Sequence, residues 1–149
     1  MSELPAKRAR VESQLEALSH LTVVVSDTGE IDTIKAYNPQ DATTNPSLIF
    51  KAAELPQYKS VVEDAIAYGS KHSAGLTYEE TLALTMDRLA VNFGAEILKI
   101  VPGYVSTEVD ARLSFDTDAT LLRARRIIEI YHELGIDKSR VLIKVRSQN

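Results

Sequence analysis

Four polar residues carry the chemistry open to this chain: Lys144, Glu108, Asp27 and Asn45. Each lies at or near the end of a short stretch with strand character, in "LTVVVSD", "DATTN", "YVSTE" and "VLIK". An amine set among apolar strand residues loses solvation, which favours the neutral form that attacks carbonyls. The product is a Schiff base. Once protonated, an imine draws electrons from the adjacent carbon–carbon bond, so that bond can break without a metal. Two carboxylates can divide the proton transfers, one at the substrate hydroxyl and one through water as the imine forms and hydrolyses. An asparagine amide can orient substrate hydroxyls.

Taken singly, each residue also has a plain structural role. Asp27, before Thr28 and Gly29, suits an Asx turn. Asn45, before Pro46, suits a helix cap. Glu108 suits a surface charge paired with Arg112 at helical spacing, with Asp110 a competing partner. Lys144 suits a charge that guards an edge strand. What joins them is position, because parallel α/β folds bind ligands where the C-terminal ends of their strands converge.

The elements that would place these groups alternate along the chain. Val11, Leu15 and Leu18 predict a short amphipathic helix over Arg10 to His20. The three valines of Leu21 to Asp27 predict a strand buried on both faces, ended by a turn over Thr28 to Glu30. Asp41 to Phe50 predicts a very short strand and then a helix with Asn45 near its N-cap. A further helix is expected over Gln57 to Lys71, with Tyr58, Val62, Ala65 and Ile66 on one face. Thr77 and Glu80 have capping-box spacing before a helix marked by Leu82, Met86, Leu89 and Phe93, which Gly94 is placed to end. A strand over Tyr104 to Thr107 reaches Glu108. A helix over Asp116 to Leu134 has Asp116 as N-cap and Gly135 as C-cap, and Arg140 leads into the last strand. Strands separated by helical connections predict an α/β fold.

The 149 residues, 44% hydrophobic and 26% charged, suit one core of moderate size. No apolar run approaches the ~20 residues of a membrane span, and the start lacks an apolar signal region, so an intracellular protein is expected. A formal charge of −4 argues against nucleic acid as a partner. The exception is local, because Lys7 to Arg10, within a flexible basic segment over residues 1–10, could admit the chain to the nucleus. There is no cysteine, and His20, His72 and His132 are scattered, so neither a disulfide nor a metal is assigned. No phosphate loop and no nucleophile elbow occurs.

The segment "DATTNPSLI", Asp41 to Ile49, closely resembles the signature of transaldolases. So do "VVVSDTGEID" around Asp27, "GAEILKIVPGYVSTEVDARLSFD" around Glu108 and "GIDKSRVLIK" ending at Lys144. The resemblance runs in order from about Lys7 to Lys144. It implies a cytoplasmic enzyme without a cofactor that moves a dihydroxyacetone unit from sedoheptulose 7-phosphate to glyceraldehyde 3-phosphate in the pentose phosphate pathway. By the same resemblance Lys144 forms the imine, Glu108 works through a water, Asp27 handles protons at the substrate hydroxyl and Asn45 orients substrate.

The fold so implied is an (α/β)8 barrel, which typically takes ~250 residues. The expectation is therefore a partial barrel over residues 11–149, about the first four β/α units. After Lys144 the family pattern gives way to Val145 through Asn149, and no tryptophan follows. The family's phosphate-holding serine and arginine have no counterpart here, so weak or absent turnover is expected of this chain. Two rivals follow from the same residues. One is a noncatalytic fragment that pairs, or self-associates, through open sheet edges; the other is a small flavodoxin-like binding domain.

Overall fold

A computed structural model describes residues 13–146. The basic segment expected over residues 1–10, with Lys7 to Arg10, lies outside the described residues, as do Val11 and the last three residues. The chain forms four strands and six α-helices there: α1 (Gln14–Ser19), β1 (Val25–Asp27), α2 (Ile31–Tyr37), β2 (Asp41–Thr43), α3 (Pro46–Ala53), α4 (Lys59–Lys71), α5 (Tyr78–Leu98), β3 (Val105–Glu108), α6 (Thr117–Glu133) and β4 (Val141–Lys144). All strand pairs are parallel and lie in the order β1-β2-β3-β4. This is the α/β fold expected, a four-stranded portion of a barrel wall. It is not flavodoxin-like, since that fold places its first strand inside the sheet and covers both faces. No described helix is long and apolar enough to cross a membrane.

Local chemistry sets the helix starts. Ser13 and Glu16 form a capping box at α1, and Thr77 and Glu80 form the one expected at α5. Asp116 accepts from the Ala119 amide to start α6, and Gly135, at φ 75°, turns the chain away after it. The sequence missed α2. Its seven residues bury only Ile31 and Ile34, too few for a helical period to stand out.

The core lies on one side of the sheet. Ala42, Thr44, Val105, Thr107 and Val141 are buried on the helix-covered face, together with Ile97 of α5 and Ile127, Ile130 and Tyr131 of α6. Two of the sequence expectations fail here. The strand predicted over Leu21 to Asp27 shrinks to three residues, and Val23 and Val25 are 61% and 47% exposed rather than buried. The reason is that β1 is an edge strand whose second face no helix covers. Gly94 does not end α5, which continues to Leu98. It serves close packing instead, since a Cβ there would come 1.8 Å from the Tyr131 hydroxyl.

That hydroxyl lies 2.7 Å from Thr107 Oγ1, so Gly94, Tyr131 and Thr107 lock α5, α6 and β3 together. Burial pushes the Tyr131 phenol well above its ordinary pKa. A second clamp joins the same helices, where Arg123 and Arg126 of α6 bond the buried Asp87 of α5 at 2.7 and 2.6 Å. Overpacking at such a contact typically costs about 1–3 kcal/mol. Gly94→Ala should therefore lower unfolding free energy by about that amount in urea titrations. The penalty should be smaller in a Tyr131→Phe background, where the clashing oxygen is gone.

Candidate active site

Because the strands are parallel, their C-terminal ends form one rim, and because side chains alternate, every second residue faces away from the helices. The register places Asp27, Thr43, Ser106 and Leu142 in one row across the uncovered face. One step towards the rim, Glu108 pairs with Lys144. Asn45 remains extended, at φ −147° and ψ 163°, and continues β2 to the same level. All four sequence-predicted residues therefore stand on the uncovered face near the rim.

Only two of them touch. Lys144 Nζ lies 3.1 Å from Glu108 Oε2, with the carboxylate side chain 9% exposed and the lysine 46% exposed. The amine is thus not set among apolar groups, as its strand suggested, but half in solvent beside a carboxylate. Nor does Glu108 pair with Arg112. That guanidinium grips Asp110, with Nη2 2.6 Å from Oδ2, and its hydrogen bonds hold the Asp110 carboxyl below the usual range. Glu108 is left to Lys144.

Asn45 combines both of its expected roles in one side chain. Its Oδ1 accepts from the Leu48 amide at 3.0 Å and caps α3, while its Nδ2 makes no hydrogen bond among the described residues. An open cleft lined by Asn45, Ser47, Glu108, Arg112, Lys144 and Arg146 lies over this end of the sheet. Asp27 stands outside that cleft, three strand spacings of about 4.8 Å from Lys144 along the sheet. The Asx turn is not observed. Thr28 makes the turn instead, accepting from the Glu30 amide at 3.1 Å.

Thr43 is a neighbour of the candidate site that sequence reasoning passed over. Its hydroxyl donates to Asp27 Oδ1 at 2.8 Å and so fixes that carboxylate from the neighbouring strand. The available signal was the alternation in "DATTN", which puts Thr43 and Asn45 on one face, but pairing Thr43 with Asp27 requires the β1-β2 register. Among the described residues no cluster of three metal-ligating side chains occurs.

Residues 24–148 match the family described as transaldolase/fructose-6-phosphate aldolase. The chain is 59% identical to a transaldolase of Rattus norvegicus and 58% identical to one of Homo sapiens. Each match spans 147 residues, 99% of this chain and 43% of the relative. Transaldolase A of Salmonella typhimurium is 56% identical over 133 residues, 89% of this chain and 42% of the relative. The chain thus spans less than half the length of these relatives. Nothing in these matches favours a noncatalytic interaction fragment.

The cap and the free amide of Asn45 can be separated. Asn45→Ala removes the acceptor for Leu48 and should cost about 1 kcal/mol of stability. Asn45→Asp keeps an acceptor and should stay within a few tenths of a kcal/mol of the unaltered chain by urea unfolding, while deleting the Nδ2 donor.

Proposed function

This chain belongs to the transaldolase/fructose-6-phosphate aldolase family, and from that premise we propose that it carries the Schiff-base half of a transaldolase site. The observation that supports the reading most directly is the Lys144–Glu108 pair, with 3.1 Å between Nζ and Oε2 at the C-terminal rim of a parallel sheet. In this reading the neutral Lys144 amine attacks the C2 ketone of sedoheptulose 7-phosphate. Glu108 takes up the ammonium proton and, through a water, helps the carbinolamine lose hydroxide as water. The product is an iminium ion.

Asp27 then accepts the proton of the C4 hydroxyl as the C3–C4 bond breaks. The bonding electrons pass to the iminium nitrogen, leaving an enamine on Lys144, and erythrose 4-phosphate departs. Attack of the enamine on glyceraldehyde 3-phosphate, followed by hydrolysis, gives fructose 6-phosphate. Asn45 Nδ2 donates to a substrate hydroxyl, and Thr43 keeps the Asp27 carboxylate pointed along the open face. Sugar phosphates are the substrates in this reading, the cytoplasm is the compartment, and no cofactor takes part.

Catalytic electrostatics depend on a site closed to water. With Lys144 46% exposed, the 149-residue chain should form the imine more readily than it turns over. Borohydride with fructose 6-phosphate should add the mass of the reduced sugar adduct to the chain, and Lys144→Ala should abolish the adduct. Asn45→Asp should trap several-fold less while keeping its fold. A coupled assay for fructose 6-phosphate should show little turnover by the chain alone. An adduct that persists in Lys144→Ala would rule the reading out.

A further inference from the structure

We propose that Ser13 is a phosphorylation site, selected by a protein kinase that reads arginine and esterified with the γ-phosphate of ATP. This role is independent of the imine chemistry, and it uses the basic cluster that the imine chemistry leaves idle. Two features of the chain carry it.

The first is spacing. In "KRARVES" the residues Arg8 and Arg10 stand five and three positions before Ser13. Being two apart, they fall on one face when a kinase groove holds the segment extended, where acidic groups can take both guanidiniums at once. Of all the serines and threonines in the chain, only Ser13 has arginine at both of these positions. Charge patterns of this kind let kinases choose among exposed hydroxyls.

The second is access. Ser13 is exposed, and its backbone, at φ −70° and ψ 159°, already has the extended form a substrate groove takes. The helix that follows it, α1, has six residues and buries none of them. So short a helix without a buried face contributes little stability of its own. Opening its first turn for a kinase therefore leaves the core between the sheet, α5 and α6 undisturbed.

In the transfer, Ser13 Oγ bonds to the γ-phosphorus as the bond from that phosphorus to the β–γ bridging oxygen breaks. ADP departs, and the hydroxyl proton passes to the kinase's catalytic carboxylate. The phosphate brings a charge of about −2 at neutral pH. At present Ser13 Oγ accepts from the Glu16 amide at 3.2 Å, and the Ser13 amide donates to Glu16 Oε2 at 2.8 Å. The new charge repels that carboxylate and attracts Arg8 and Arg10, so it opens the capping box and offsets the positive charge of Lys7 to Arg10. Modification thus silences the same cluster that recruits the kinase.

Incubating the 149-residue chain with protein kinase B and magnesium ATP tests the assignment. Intact-mass spectrometry should show one added phosphoryl group, about 80 Da, and fragmentation should place it on Ser13. Ser13→Ala should abolish the label, while Ser13→Thr, which keeps a hydroxyl and a capping oxygen, should retain it. The double variant Arg8→Ala, Arg10→Ala should lower kcat/KM for labelling by about tenfold or more. An unlabelled chain, a label that persists in Ser13→Ala, or equal labelling of the double arginine variant overturns the proposal.

Discussion

Everything in this molecule depends on helices packing against only one face of a parallel sheet. Parallel strands require crossover connections, and these run right-handed, so successive helices fall on the same side. The pleat then sorts each strand into two sets. In β3, Val105 and Thr107 enter the core, while Ser106 and Glu108 face away from it. A slip of one residue would bury Glu108 and lift Thr107 off Tyr131. The register is pinned at both ends of the strand pair. Arg140 donates to the carbonyls of Gly103 and Val101 at 2.6 and 2.9 Å, and the Val109 amide donates to the Lys144 carbonyl at 2.9 Å. The positions of Lys144 and Glu108 are consequences of packing on the opposite face.

The same constraint explains which features could be seen in the sequence. Polar residues ending apolar strands mark the C-terminal rim of the sheet without any knowledge of pairing, and Lys144, Glu108, Asp27 and Asn45 all stand out on that basis. The capping box of Thr77 and Glu80 and the cap at Asp116 are local and were equally visible. What could not be read depends on contacts distant in sequence. Val23 and Val25 look like the residues of a central strand, because nothing in three valines says that β1 has no neighbour on one side. Gly94 has the composition of a helix end, and only the approach of Tyr131, 37 positions later in the chain, makes it an interior residue. Thr43 meets Asp27 only through the register of β1 with β2.

The charges of the rim are arranged by competition. Two acids, Glu108 and Asp110, and two cations, Lys144 and Arg112, line the same cleft. The loop after β3 resolves the ambiguity, because Asp110 takes both the backbone amide and the guanidinium of Arg112. A planar guanidinium suits that bidentate grip better than an ammonium does. Lys144 is thereby left to Glu108, whose side chain is nearly buried and would otherwise stand unpaired.

This arrangement separates two requirements that enzyme sites usually meet together. Positioning comes from strand register and the helix-side core, and both are contained in the four strands described. Exclusion of water comes from a closed wall, which the four described strands with their two open edges do not form. The two side chains of the pair show the distinction directly. Glu108 is 9% exposed because its own strand and its neighbours cover it, whereas Lys144 is 46% exposed because it sits on β4, an edge of the sheet. A carboxylate can be held in place from one side, whereas the proposed imine chemistry asks that the amine lose its solvation, which takes cover from both. The part of the candidate site that depends on register is therefore present in the four described strands.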